Sequence, residues 1–568
     1  MPHFVFVAID ARFSHSNPAI RSILAHSRKV VPESDLPQIT LLESNINQRV
    51  EILAGDLLDL NPDALFFSCY IWNIRVIQDL LTRIRPLLPN CLFVLGGPEV
   101  EHSPELSLRE IPEADLILCG EGEAIFPTLF PRLKEIIEKS FQPSSTAKRQ
   151  GILASLAKEK DKIAGLAFLL EKEFIQSPRP AFADLDQIPF LYPDPVAIQH
   201  RHVYYESSRG CPFRCSYCLS AKDKPMRWRK LELVKEDLRR LQELGYPLVK
   251  WIDRSFNADP KRAREIWCYL IDLAGEKPST RWHFEIEAQL LNEEDLDLLS
   301  KAPLGLFQFE IGIQSFDPRT LRAVNRSPET EGILNALRRL NQDGKIHCHA
   351  DLIFGLPGEN MEMIARSFRL VCSSAAEQIQ LGFLKLLKGS PLYDAVKGTD
   401  YRFLPYAPYE VLQSDALSAQ DLLSLKRMES VFERFWNGDA FAKSRDILIQ
   451  LNQPAMERDW DFVQGLINLN DKQAKKDEDR IESCSPQKSS HFDLFNFFME
   501  LGSFFHQKGF SHRPFSQDEF FWTVAVAMRE FDTPISRQIE ERVIADYEAL
   551  PRGALDSFEH LERKYSKS

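Results

Sequence analysis

The sequence predicts an α/β protein: a doubly wound parallel sheet, then a partial (β/α)6 barrel, then a mostly helical C-terminal region. Three observations carry this. Short apolar runs alternate with amphipathic segments from residue 3 to about 135. A second series of six such units fills about 203–390. At 568 residues and 65.4 kDa the chain is also too long for one hydrophobic core, while 44% apolar and 27% charged residues is ordinary globular composition.

The first series reads "HFVFVAI", "QITLLES", "ALFFSCY", "CLFVLGG" and "LILCG", a parallel sheet within residues 1–140. Its first helix has a start signal, Ser16-Asn17-Pro18, a capping side chain followed by proline at the first helical position. Residues 141–192 lose the alternation, gain Lys, Ser, Gln and Pro, and read as a linker with one hairpin, "GLAFLLEKEFI". The barrel occupies 193–395, with strands "VYYESSRG", "LVKWID", "RWHFEIEAQ", "FQFEIGIQSF", "KIHCHADLIFG" and "QIQLGFLKL". Two intervening helices end in glycine, as helix stops do. Residues 396–568 carry helical patterns rich in aromatics, for which packing of their own core is the simplest use, and a polar stretch at 471–490 reads as a mobile loop.

No apolar run approaches the roughly 20 residues that cross a bilayer, and no basic segment leads into an apolar one at the N-terminus. The expected compartment is the cytoplasm, where the ten cysteines stay thiols and a tight group of them points to metal or catalysis. A net charge of −12 and a pI near 5.7 argue against a nucleic-acid surface, although "RWRK" at 227–230 is a local basic patch.

Buried parallel strands normally read as apolar on both faces. Three successive barrel strands do not: His283, Glu285, Glu287 and Gln289 share one face of the third, Gln308, Glu310, Gly312 and Gln314 one face of the fourth, and His347, His349 and Asp351 one face of the fifth. An unpaired charge in a dry interior is very costly, so three polar stripes in a row imply a shared polar lumen. An antiparallel sheet with one wet face would alternate equally well, but the intervening helices argue against it. The three histidines read as satisfied barrel side chains.

In "SSRGCPFRCSYCLS" three cysteines, Cys211, Cys215 and Cys218, fall within eight positions after the first barrel strand. Structural zinc sites take two ligand pairs, and here the only fourth ligands on offer, His202 and Cys268, have no pairing partner. Three soft thiolates from one loop suit an iron–sulfur cluster with one iron left open.

"GCPFRCSYC" resembles the C-x3-C-x2-C loop of the radical S-adenosylmethionine (SAM) enzymes. The resemblance implies that Cys211, Cys215 and Cys218 hold a 4Fe-4S cluster and catalyse reductive cleavage of SAM to a 5′-deoxyadenosyl radical, with Phe213 and Tyr217 beside the bound SAM. "EAQL", "GIQSF", "NRSPE" and "DLIFGLPGE" are similar to segments of the oxygen-independent coproporphyrinogen oxidase branch. That similarity implies Glu287 at the methionine amino group, Gln314, Arg326 and Asp351 at the carboxylate and ribose, and the backbone at Ile353 near the adenine. The second strand ends in "WIDRSFN" rather than a Gly-Gly-Glu-like sequence, which makes Asp253 the substitute for the amino-group contact.

No G-x-G-x-x-G follows the first strand of the N-terminal sheet. Ser68, then Gly96-Gly97 28 residues on, then "CGEGE" stand at strand ends, where glycines either let a flat ligand approach or make tight turns. This order resembles the Rossmann-like cobalamin-binding domain that precedes the barrel in many radical SAM enzymes. It implies that Ser68, Gly96 and Gly97 line the slot for the nucleotide tail, with Gly120, Glu121 and Gly122 beside it, and that the corrin lies across loops carrying Phe13, His15, Tyr70 and Ile71. The loop "DARFSHSNPA" lacks D-x-H-x-x-G, so no histidine on cobalt is expected. A ligand-free sheet serving only as a docking platform is the bland alternative.

The resemblance covers about residues 1–395 and implies methyl transfer through methylcobalamin to an unactivated carbon or phosphorus of a small molecule, fed by a donor such as flavodoxin or ferredoxin. A non-methylating ring contraction or cyclisation, and a non-catalytic cobalamin or redox sensor, are the rival readings.

Overall fold

A computed structural model describes residues 1–140, 145–195, 198, 201–222, 225–276, 278–374, 376–467, 492–510 and 516–550. The loop read at 471–490 lies outside them. The N-terminal unit is a seven-stranded sheet in the order β2-β1-β3-β4-β5-β6-β7. Strands β1 (His3–Asp10), β2 (Gln38–Asn45), β3 (Ala64–Ser68), β4 (Leu92–Gly96) and β5 (Leu116–Leu118) are parallel. Helices α1 (Pro18–Val30), α5 (Gly122–Lys139) and α6 (Ser145–Lys158) cover one face; α2 (Val50–Leu60), α3 (Ile74–Ile84) and α4 (Pro104–Glu110) cover the other. Burial on both faces is why β1 reads as a continuous apolar run. Asn17 caps α1 by accepting a hydrogen bond from the Ile20 amide at 3.0 Å.

The stretch expected as a linker is mostly part of this unit. Helix α6 buries Ile152, Leu153 and Leu156, and the hairpin β6 (Leu166–Leu170) and β7 (Glu173–Gln176) extends the sheet antiparallel from β5. Glu171 and Lys172 turn the hairpin with positive φ at both positions, 50° and 74°, as a two-residue hairpin turn needs.

The second sheet is wholly parallel, in the order β8 (Val203–Tyr205), β11 (Leu248–Trp251), β12 (Arg281–Ile286), β13 (Phe307–Gln314), β14 (His347–Phe354), β15 (Gln378–Phe383). A small antiparallel ribbon, β9 (Ser208–Arg209) with β10 (Arg227–Trp228), follows the first strand. Helices α7 (Leu231–Glu243), α8 (Pro260–Ala274), α9 (Glu293–Leu299), α10 (Pro318–Ala323), α11 (Glu331–Asn341) and α12 (Met361–Cys372) fall between its strands. The apolar faces, including Trp282, Phe284, Phe307, Phe309 and Cys348, are fully buried beneath them. The opposite faces form a polar lumen.

Among the described residues the C-terminal region contains the helices Ala419–Trp436, Ala442–Ile467, Leu494–Gln507, Gln517–Phe531 and Pro534–Ala549. Their aromatics share one core with the barrel. Phe368 of α12 packs on Phe432, Phe495 and Phe498 at ring separations of 5.0, 5.7 and 6.0 Å. Arg369 of α12 is bonded to Asp459 at 2.5 Å and Asp493 at 2.9 Å. Between barrel and helices, residues 384–411 form a strap. The Leu392 amide donates to Ser216 of the cysteine loop at 2.8 Å, Lys388 pairs with Glu110 at 2.9 Å, and Tyr409 donates to Glu99 while its ring is buried in the N-terminal core.

Candidate functional site

The cysteine loop leaves β9 through Gly210, whose φ of 97° is a conformation that glycine adopts without strain. The amide of Ser216 donates to the Val324 carbonyl at 2.9 Å and its carbonyl accepts from Leu392, so the loop is pinned from both sides. Cys215 is buried; Cys211 and Cys218 are half-buried. Cys211 lies 3.6 Å from the Ser255 hydroxyl. Among the described residues no three His, Cys, Asp or Glu side chains gather closely enough to hold a single ion. A cubane has no such need, because each thiolate binds a different iron.

Arg326 organises the mouth. Its guanidinium donates to Cys215 Sγ at 3.5 Å, the Tyr217 hydroxyl at 3.4 Å, Glu287 at 3.0 Å and the Gly312 carbonyl at 2.7 Å. Burial pushes the Cys215 thiol up and the Arg326 charge opposes that rise, so a ligand thiolate here has a cation beside it. Glu287 is likewise raised by burial and held back by Arg326.

Gln314 and Asp351 end the polar stripes of β13 and β14. Gln314 has a φ of 72° and folds back over Gly312, where a Cβ would lie 2.3 Å from its amide nitrogen. Its Oε1 and Asp351 Oδ1 are buried without a protein partner. Burial first, then Glu310 and Glu285, drive the Asp351 carboxyl well above the usual range. These unpartnered buried polar atoms at the lumen mouth fit a ligand bearing an amine and ribose hydroxyls. Ile353 is the next lumen-facing residue, opposite Gly382 of β15, and Phe213 is half-buried in the cysteine loop.

Asp253 does not join this group. It is 1% exposed and accepts from the Ser207 amide, the Ser207 hydroxyl and the Ser208 hydroxyl, each at 2.7 Å, so its oxygens are already used to tie the first two parallel barrel strands together.

Deeper in the lumen the register sets Lys250, His283, Gln308 and His347 in one row and Glu285, Glu310, His349 in the next. These side chains are half-buried, apart from the more buried His283, whereas their apolar strand neighbours are buried, as expected for an accessible lumen. His283 lies 3.3 Å from Glu310 and lowers that carboxyl, while burial raises Glu285 to about 7 and lowers His349 to about 4. Lys250 carries no sequence signal beyond the alternation within "LVKWID", which puts it on the lumen face.

At the C-terminal edge of the N-terminal sheet, Ser68 accepts from the Asn17 side chain at 3.0 Å, and Tyr70 stacks on Trp72 at 4.3 Å. Ile71 packs against the sheet core. Phe13 is 62% and Trp72 43% exposed, large apolar surface on two loops of one edge. Asp10, which ends β1, is pushed up to about 7 by burial and by Glu43, and its buried Oδ2 has no partner. Open aromatic faces beside an unfilled polar position fit the rim of a large flat ring carrying amide arms. Trp72 and Asp10 went unread in the sequence; a tryptophan following a strand-end Ser-Cys-Tyr was the available signal.

The glycines of this edge also serve packing within the chain. A Cβ on Gly97 would meet the Cys69 carbonyl at 2.6 Å, one on Gly120 would meet Pro180 at 2.7 Å, and one on Gly122 would meet Ile23 at 2.3 Å. At these three positions the chain itself makes the close approach; Gly96 has ordinary contacts only. Glu121 is also engaged, paired with Arg227 and bonded to the Ala183 amide at 2.7 Å. His15 points at the barrel, its Nδ1 2.5 Å from the Tyr204 hydroxyl.

Family models match in the same layout. The B12 binding domain covers residues 6–130, the Radical SAM superfamily covers 205–371, and a protein family of unknown function, DUF4080, covers 398–479. The chain is 26% identical over 355 residues to the cobalamin-dependent radical SAM methyltransferase TokK of Streptomyces tokunonensis, covering 60% of this chain and 50% of that protein. It is 23% identical over 418 residues to the anaerobic magnesium-protoporphyrin IX monomethyl ester cyclase of Cereibacter sphaeroides, covering 69% and 64%. These matches span between half and just under two thirds of the relatives' own lengths. The structure of the cobalamin-dependent SAM radical enzyme OxsB with aqua-cobalamin bound shares the fold over 100% of this chain and 84% of that one, at a TM-score of 0.61 and 14% identity. No helix among the described residues is long and apolar enough to cross a membrane. With a cysteine loop and a polar lumen within the Radical SAM match and a B12 binding domain ahead of it, the chain is a radical SAM protein that carries a B12 binding domain, and these domains imply a 4Fe-4S cluster, S-adenosylmethionine and cobalamin as cofactors.

Proposed function

We propose that this protein is a methylase that uses SAM both as radical source and as methyl donor, passing the methyl group through cobalamin to an unactivated carbon or phosphorus of a small molecule. What supports the reading is the meeting of the two units: residues 14–16 of the N-terminal unit are bonded to residues 201, 202 and 204 at the first barrel strand, an arrangement that would bring a corrin held on the first-strand loop toward the lumen. The bound cofactors supply hydrogen abstraction and the methyl group.

The chain's own residues hold, orient and exclude water. Cys211, Cys215 and Cys218 anchor the cluster, and Arg326 places positive charge beside Cys215 while orienting Glu287. Glu287, Gln314 and Asp351 present acceptors at the lumen mouth for the amine and hydroxyls of SAM, with Phe213, Tyr217 and Ile353 as apolar walls. Phe13, Tyr70 and Ile71, joined by Trp72, form the rim offered to the corrin, with Ser68 and Gly96 beneath it. Electrons come from a small redox protein of the flavodoxin or ferredoxin kind. Holding reactive groups in line matters here because an unactivated carbon has no acidic proton for a side chain to remove.

Incubation with SAM labelled in its methyl group tests the reading. Label in the product supports a methylase. Turnover to 5′-deoxyadenosine with no label in any product supports the second reading, a ring-forming or ring-contracting enzyme, which the likeness to the cyclase favours.

A further inference from the structure

We propose that Tyr204 is a positioning residue for cobalamin, fixing the His15 loop of the N-terminal sheet against the first barrel strand. The inference rests on the cobalamin assignment above and goes beyond it by naming the part that sets the corrin edge relative to the lumen.

The contacts are dense and converge on residues 13–16 of the N-terminal unit and on Arg201, His202 and Tyr204 of the barrel. Tyr204 lies on β8, the edge strand of the barrel sheet, opposite Lys250 in the register, and its hydroxyl reaches out of the lumen to His15 Nδ1 at 2.5 Å. The two rings lie 6.0 Å apart at an interplanar angle of 29°. The His202 ring stands edge-on to His15 at 5.5 Å. The His202 amide donates to the Ser14 carbonyl at 2.6 Å, the Ser16 hydroxyl donates to the His202 carbonyl at 2.8 Å, and Arg201 donates to the His15 carbonyl at 3.3 Å while covering the Phe13 ring at 5.3 Å. The loop bearing the exposed Phe13 is therefore held from the barrel side.

Direction follows from the titration properties. Burial raises the Tyr204 hydroxyl, so it stays protonated and donates. Burial first, then the neighbours His202, Lys250 and Arg12, lower His15 and favour its neutral ring, which accepts the Tyr204 hydroxyl at Nδ1 when its proton is on Nε2. Phenylalanine at 204 keeps the ring packing and removes only the donor.

The test uses the full chain, reconstituted anaerobically with iron and sulfide and titrated with hydroxocobalamin. Tyr204→Phe should bind cobalamin about tenfold more weakly, the size expected from one buried hydrogen bond, with iron content unchanged. The electron paramagnetic resonance spectrum of its bound cob(II)alamin should broaden as the seat loosens. His15→Ala should lose as much, and the double variant no more than either, because both remove the same bond. His15→Gln, whose amide oxygen can accept from Tyr204, should retain most of the affinity. Wild-type affinity and spectrum in Tyr204→Phe, or additive losses in the double variant, would overturn the proposal. A wild-type protein that retains no cobalamin overturns the assignment beneath it as well.

Discussion

Arg326 reaches Cys215 Sγ at 3.5 Å with one guanidinium nitrogen and Glu287 at 3.0 Å with the other, so a single cation joins the cluster loop to the lumen mouth. Arg326→Met should leave iron and sulfide content near wild type while raising the SAM dissociation constant at least tenfold. Arg326→Lys, which keeps the charge but not the fork, should fall between. Iron assay and equilibrium dialysis with SAM check this; loss of iron in Arg326→Met would show that the residue serves the cluster rather than the ligand.

Burial, then the neighbours Glu310 and Glu285, favour the protonated form of Asp351. Asp351→Asn supplies a neutral amide of the same shape, so the melting temperature without SAM should hold steady or rise slightly. The further rise produced by saturating SAM should shrink, because the variant lacks a carboxylate that the ligand would otherwise hold in its charged form. Paired thermal melts with and without SAM measure both effects.

Glu285 gives a pH signature with a defined sign. Its carboxyl is raised by burial from an ordinary 4.5 to about 7. The folded protein thus binds the proton more tightly than the unfolded chain, and stability contributed by the protonated acid is full below pH 4.5 and is lost as pH rises to about 7. Glu285→Gln should abolish that slope and be more stable than wild type at pH 8 by about 1 kcal/mol, a figure reduced for water in the lumen. Denaturant melts from pH 5 to 8 would show the two curves converging at the acid end.

The helical region should not be separable from the barrel. Phe498 is fully buried against Phe368 of α12, and Arg369 is held by Asp459 and Asp493. Phe498→Ala should cost about 3–5 kcal/mol through the cavity it leaves. Arg369→Ala should cost a similar amount, about 3–5 kcal/mol, by stranding two acids. Calorimetry should show barrel and helices melting together, and a chain ending at 396 should be insoluble.

Much of this fold was legible because period-2 and period-3.6 patterns reflect which faces are buried. The stripe His347, His349, Asp351 announced the lumen from alternation alone, and the spacing of Cys211, Cys215 and Cys218 marked the loop that falls within the Radical SAM match. Asp253 misled because a sequence shows that an acid stands at a strand end but not that Ser207 and Ser208 already fill its oxygens. For Gly97, Gly120 and Gly122 a glycine marks close approach without naming the approaching group, and the groups within the chain are Cys69, Pro180 and Ile23. The hairpin at 166–176 was seen, but its attachment to β5 is a tertiary fact with no local signature. Tyr204 escaped notice because its partner His15 lies 189 positions away.

One chain is expected to hold an iron–sulfur cluster on three cysteines together with cobalamin. Anaerobic reconstitution followed by metal analysis and an optical spectrum tests it most directly. Wild type should carry iron and sulfide in near-equal amounts and show cluster and corrin absorption together, and replacing Cys211, Cys215 and Cys218 with alanine should remove the iron while sparing the corrin. Zinc in place of iron, or iron retained by the triple variant, would contradict the account.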